Sequence, residues 1–211
     1  MTLRRFQVSG DAPSPGDIEG IREVLERGGI AILPTDTLYG LHAPASSREA
    51  VEKIFAAKKR SSSQPLVVLC SSIEQVRGLG TEIEDSMARA LGHLWPAPLT
   101  AILELRSPIA ASAGRSTIAV RIPDLAWLRG LLDSTGPLAS TSVNLSGERA
   151  VYSTEDIPME LLEKVDALLD AGTIASSAST MVDFTSDPPR VVREGKFLFT
   201  QNLWKTVWKS S

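Results

Sequence analysis

One cysteine and two histidines stand in a chain of 211 residues, and each scarcity excludes something. Cys70 alone cannot form an internal disulfide or a cysteine-based zinc site. At the end of the apolar run PLVVLC it reads as a small buried core residue. His42 and His93 are far from any H-x-x-x-H spacing. No apolar run reaches the ~18 residues that a membrane-spanning helix needs, and the opening MTLRRFQVSGDAPSPGD lacks the apolar centre of a signal peptide. The expectation is a cytoplasmic enzyme or binding protein with no membrane contact, for which the Asn144-Leu145-Ser146 sequon has no meaning. Positive charge is not in surplus: 22 Lys and Arg against 25 Asp and Glu leave −3, which speaks against a general nucleic-acid coat. The phosphate loop G-x-x-x-x-G-K-[ST], the dinucleotide fingerprint and the G-x-S-x-G elbow are all missing.

What remains is an ordinary globular composition, 43% hydrophobic, without repeats or a long linker. It suits one domain over residues 1–211. Ser14-Pro15 should open a helix with Ile18, Ile21, Val24 and Leu25 on one face, closed by Gly28-Gly29. A second helix is expected over 47–60, with Ser46 and Glu49 in capping-box spacing. Helical segments follow over 73–93, broken near Gly78-Leu79-Gly80, and over 125–132 and 153–162. Strands are expected at 30–34, 65–69, 99–105, 117–122, 137–143, 166–170, 180–184 and 190–194. Several strands follow one another without a helix between them, which predicts a mixed α/β sheet.

Four stretches are too polar or too basic for their positions. PTDTLYGL (34–41) follows a strand and sets Thr35, Asp36, Thr37 and Tyr39 either in a capped turn or at a ligand-binding sheet edge. KKRSSSQPL (58–66) holds cations at a helix end. They either complement the helix dipole, or Lys58 and Arg60 converge on one anion. In STIAVRIP, Ile118, Val120 and Ile122 share one strand face, and Thr117, Ala119 and Arg121 the other. A strand arginine needs an anion, from the protein or from a ligand. In PLASTSVNLSGE, Ser140, Ser142 and Asn144 alternate along an extended chain. They form either a turn closed by Gly147 or a polar wall for phosphate, ribose or a purine edge.

In this order AILPTDTLYGL, IFAAKKRSSSQPLVVL, LWPAPLTAIL, TIAVRIPD, ASTSVNLSG and STMVDFT…RVVREG resemble the YrdC-like family of threonylcarbamoyl-AMP synthases, from about Gly29 to Gly195. The resemblance implies a twisted mixed parallel and antiparallel sheet flanked by helices around a deep, basic cavity. It also implies synthesis of threonylcarbamoyl-adenylate and pyrophosphate from L-threonine, bicarbonate and ATP. A separate tRNA threonylcarbamoyltransferase would use the product. It assigns the K-x-R pair Lys58 and Arg60 to the ATP phosphates as catalytic residues. Gln64, Thr117, Ser142, Asn144 and Arg193 would complete the ATP site, and Thr37, Arg121, Ser142 and Ser179 the threonine site. Mg²⁺ would come with ATP, with no protein metal ligand and no prosthetic group. Ser61, Gln64 and Leu69 depart from the residues usual at their positions: proline, asparagine and a histidine near the threonine. The extra C-terminal domain of longer members is not expected. Two alternatives stand beside this reading: a YciO-type paralogue, and an RNA- or tRNA-binding module of the same fold. The tail 197–211, with Trp204 and Trp208 four apart, reads as a docked terminal helix or as a partner contact.

Overall fold

The computed structural model describes residues 3–59, 61, 63–144, 151–174 and 176–210. Ten strands form one sheet: β1 (Arg4–Gln7), β2 (Ala31–Leu33), β3 (Gly40–Pro44), β4 (Val67–Leu69), β5 (Leu99–Glu104), β6 (Thr117–Arg121), β7 (Leu138–Ser142), β8 (Ala167–Asp170), β9 (Thr180–Asp183) and β10 (Arg190–Arg193). Their order across the sheet is β1-β8-β2-β3-β7-β4-β6-β5-β9-β10. β1–β8, β8–β2, β4–β6 and β5–β9 run parallel, and the other pairs antiparallel. The expected mixed sheet is present.

The helices are α1 (Pro15–Glu26), α2 (Arg48–Ala57), α3 (Ile73–Gly78), α4 (Asp85–Leu94), α5 (Ala126–Thr135), α6 (Met159–Leu162) and α7 (Gln201–Lys209). Ser14 caps α1 by accepting from the Asp17 amide, Pro15 occupies the first turn, and Gly28 takes φ 72° just beyond the end. The cap of α2 is Ser47, one residue later than expected, because its hydroxyl rather than that of Ser46 accepts from the Ala50 amide. The helix expected over 153–162 is two short pieces, a 3₁₀ turn at Thr154–Asp156 and α6. Pro158 stands between them and has no amide proton to continue a ladder. β1 and β3 were not legible as strands: β1 is short and exposed, and β3 begins inside the polar stretch that read as a loop.

One face of the sheet is covered along its length. Ile32, Leu41, Val68, Ala101, Ile118, Val120, Ala139 and Val182 pack there with the inner sides of α2 and α4. The other face is only half covered. α1 and α5 bury Ala31, Leu33, Leu69, Leu138, Ala167 and Leu169 through Ile21, Leu25, Leu128 and Leu131. Beyond that second core the same face continues without a helix over it. The register then puts Ser140 beside His42 and Val67, and Ala119 beside Val67 and Ile102. That uncovered part of the face is the floor of a cavity. No helix among the described residues is long and apolar enough to cross a membrane.

Candidate functional site

The cavity has a volume of about 490 Å³, within the range of small-molecule sites. β6 contributes Thr117, Ala119 and Arg121 to it and turns Ile118 and Val120 into the covered core, as the strand period requires. β7 contributes Ser140, Thr141 and Ser142. The strand ends at Ser142, yet Asn144 still lines the cavity from the following bend. Leu69 reaches the wall from β4.

The loop between β2 and β3 is built by Thr35. Its hydroxyl accepts from the amides of Thr37 and Leu38, donates to the Leu38 carbonyl, and lies 2.9 Å from Thr37 Oγ1. Arg121 crosses to this loop. Its Nη1 donates to Thr37 Oγ1 at 2.9 Å and its Nη2 to Asp36 Oδ1 at 2.6 Å. Both ends of the ion pair are buried, with side chains 5% and 9% exposed. Burial pushes the Arg121 guanidinium below its ordinary range, and Asp36 opposes that shift. The strand arginine therefore has a protein carboxylate as its anion. Asp36 Oδ2 and Arg121 Nε are buried without a hydrogen-bond partner, and Nη1 and Nη2 each keep a second proton beyond these two contacts.

The far wall comes from β9, β10 and the segments around them. Arg193 donates from Nη2 to the Ser179 carbonyl at 3.0 Å and to Ser179 Oγ at 3.2 Å, and Nε reaches the same carbonyl at 3.3 Å. Ser179 Oγ in turn lies 2.8 Å from Thr100 Oγ1. Gly195 lets the chain pass close by, since a Cβ there would collide with the Ala178 and Ser179 backbone. Lys196 Nζ and Ser176 Oγ both donate to the Asp36 carbonyl and tie this wall to the opposite loop.

Beside Ser140 on the same face lies His42, wholly buried. Burial pushes its imidazole down to about 3, and the nearby Arg121 charge adds to the shift. Gly40 makes room for it, because a Cβ on Gly40 would stand 2.6 Å from His42 Nε2. Lys58, at the C-cap of α2, is 2% exposed and points at the end of β7.

With the cavity described, comparison with known proteins decides the lineage. The Sua5/YciO/YrdC family model, described as telomere recombination, matches residues 23–195. The chain belongs to the Sua5/YciO/YrdC family. A threonylcarbamoyl-AMP synthase of Pyrococcus abyssi is 33% identical over 175 residues, covering 81% of this chain and 52% of the relative. The chain thus spans about half the length of that relative. The crystal structure of P. abyssi Sua5 complexed with L-threonine superposes with a TM-score of 0.83 at 28% identity, covering 92% of this chain and 58% of that one. Escherichia coli YciO superposes with a TM-score of 0.80 at 26% identity, covering 92% of this chain and 96% of its own.

Against this family background, Thr37, Thr117, Arg121, Ser142, Asn144, Ser179 and Arg193 all line the one cavity. Gln64 is exposed and not among the lining residues, and Arg60 lies outside the described residues. Among the described residues no group of three or more His, Cys, Asp or Glu could hold a metal ion. Cys70 is fully buried and its thiol is pushed up to about 12 by burial. Two functional-site neighbours escaped the residue assignment. Arg115 lines the cavity from just before β6, and only its spacing of two from Thr117 hinted at a shared face. Asp36 was visible within PTDTLYGL, but nothing local marked it as the partner of Arg121. Tyr39, in the same stretch, is a scaffold residue. Its hydroxyl accepts from the Ala171 amide and donates to the Gly172 carbonyl.

Proposed function

We propose that this cavity makes threonylcarbamoyl-adenylate and pyrophosphate from L-threonine, bicarbonate and MgATP, for later transfer to tRNA adenosine by a separate threonylcarbamoyltransferase. The observation that carries this reading is the convergence of Thr37, Arg121 and Ser179 with Thr117, Ser142, Asn144 and Arg193 around one cavity. Relatives named for this synthase, and the related P. abyssi Sua5 structure complexed with L-threonine, support it.

The chemistry asks for positioning rather than for a protein nucleophile. The threonine amine and bicarbonate condense to an N-carboxylate with loss of water. A carboxylate oxygen then attacks the α-phosphorus of ATP, the bond to the bridging β-phosphate oxygen breaks, and pyrophosphate leaves. Two reactants held in line need orientation and cations where charge gathers. The second protons of Arg121 Nη1 and Nη2 offer contacts for the threonine carboxylate, and the Thr37 hydroxyl, which accepts from Nη1 and gives its own proton to Thr35, helps hold the guanidinium in place. Arg193 and Arg115 supply positive charge along the wall, and the resemblance adds Arg60 at the phosphates. The lining residues among those described include hydroxyls, one amide and three arginines, with no carboxylate, so Mg²⁺ enters as part of MgATP. A buried Cys70 thiol and a neutral, enclosed His42 fit a reaction that uses neither as a nucleophile.

The test is incubation with ATP, Mg²⁺, bicarbonate and threonine, followed by mass detection of threonylcarbamoyl-AMP. Product should vanish when threonine or bicarbonate is omitted; no product in the complete mixture rejects the reading. A YciO-type role is the second reading. It is favoured by Leu69, in the cavity wall where a histidine is usual. Asn144 and Lys58 weigh for the synthase, and the same assay separates the two.

A further inference from the structure

Lys58 carries the least expected geometry in the site. Its ammonium donates to Thr141 Oγ1 at 3.3 Å, to the Ser142 carbonyl at 2.6 Å and to Asn144 Oδ1 at 3.3 Å. An ammonium has three protons and no lone pair, so in each of these contacts Lys58 is the donor. The side chain is 2% exposed and Lys58 is not among the residues that line the cavity.

This arrangement has a direction. Because Lys58 can only donate, the Asn144 atom that faces it is the oxygen. The same oxygen accepts from Ser142 Oγ at 2.6 Å. A serine hydroxyl has a single proton, so Ser142, itself a lining residue, meets the cavity with lone pairs. Its contact there must come from an O–H or N–H group. Phosphate oxygens and carboxylates carry no such proton at neutral pH.

Register decides which end of a substrate that donor belongs to. Along β7, Ser142 stands four residues from Leu138, whose neighbour Leu69 pairs with Arg121. At ~3.3 Å per residue the two rows are ~13 Å apart. By backbone register Ser142 therefore lies away from the Arg121 row and toward the Thr117 end of β6.

We propose that Lys58 is a positioning residue rather than a phosphate ligand. It pins the end of β7 and makes Ser142 a hydrogen-bond acceptor for the nucleoside part of the bound nucleotide. The proposal rests on the cavity taking a nucleotide, as argued above, and it replaces the phosphate contact that the resemblance implies for Lys58.

The experiment measures AMP, ADP and ATP binding by calorimetry to the wild type, Lys58→Met and Ser142→Ala. A phosphate ligand would weaken the series unequally, least for AMP and most for ATP. The positioning role weakens all three by one common factor, about tenfold for the loss of one hydrogen bond in Ser142→Ala. A loss that grows with phosphate number, or no loss at all, overturns the proposal. Should Lys58→Met fail to fold, Ser142→Ala tests the nucleoside contact and the Lys58 ammonium signal of the wild type tests the tether.

The tether is read without nucleotide from the nitrogen-15 resonance of the Lys58 ammonium in the wild type, which should be protected from solvent exchange. Rapid exchange overturns the tether. A protected ammonium in a wild type that binds none of the three nucleotides would uphold the tether. That result would instead overturn both the nucleotide assignment and the Ser142 contact.

Discussion

Arg121 Nη2 and Asp36 Oδ1 stand 2.6 Å apart, between a cavity-floor strand and the loop that rims it, with both side chains almost wholly buried. The guanidinium proposed to hold a substrate carboxylate thus already has a protein carboxylate beside it. An incoming anion would share Arg121 with Asp36 and use the second protons of Nη1 and Nη2.

Asp36→Asn tests this pair. Removing one partner of a buried ion pair typically costs about 3–5 kcal/mol, because the other charge stays buried without compensation. Urea unfolding should show a loss of that order, and a change below about 1 kcal/mol contradicts the role given to the pair. Threonine should raise the melting temperature more in the variant than in the wild type, since its carboxylate supplies the missing anion.

His42 predicts a pH dependence. Its folded pKa is pushed down to about 3, whereas the unfolded chain titrates near ~6.5. Between these values the unfolded state binds the extra proton. Stability is therefore full above ~6.5 and is lost as pH falls toward 3, at about 1.4 kcal/mol per unit. Between pH 7 and pH 5 the wild type should lose about 2 kcal/mol more than His42→Gln. Parallel stability curves for the two proteins would refute the assignment.

Gly40→Ala should deform the cavity floor. The new Cβ would lie 2.6 Å from His42 Nε2 and 3.3 Å from Ser140 Oγ. Overpacking of this kind costs about 1–3 kcal/mol. Adding His42→Ala should recover part of that loss, a coupling of at least about 0.5 kcal/mol. Strictly additive effects would place the clash elsewhere.

Arg193→Ala removes the donors that hold the Ser179 carbonyl and hydroxyl. Because Ser179 belongs to the proposed threonine site and Arg193 to the nucleotide site, KM should rise for both substrates. Arg193→Lys should restore little, since a single ammonium cannot reproduce the forked contact. A rise in KM for ATP alone would separate the two walls.

Trp204→Ala should undock the C-terminal helix. Trp204 is 6% exposed, with its ring 5.0 Å from that of Phe184 and 5.2 Å from that of Trp208. Loss of a buried tryptophan costs about 3–5 kcal/mol. Trp208 is 42% exposed, so Trp208→Ala should cost much less. Equal effects on chemical unfolding would argue against this docking.

Much of the sheet was legible because burial imposes periods on a sequence. The alternation in STIAVRIP assigned Ile118 and Val120 to the covered core and Arg121 to the other face, and both are found there. The cap at Ser14 and the break at Gly80, which takes φ 85°, carry local signals of the same kind. β3 was hidden because Gly40, His42 and Pro44 make no hydrophobic alternation. Their strand conformation comes from pairing with β2 and β7, partners distant in the chain.

Six motifs in a particular order, through the family they resemble, were enough to collect Thr37, Thr117, Arg121, Ser142, Asn144, Ser179 and Arg193 as candidates. What each one touches was decided only by the tertiary structure. Asp36 meets Arg121 across 85 positions and Lys58 meets Ser142 across 84. A side chain carries its charge and its protons in the sequence. Which of its atoms remain for a ligand depends on the neighbours that folding brings to it.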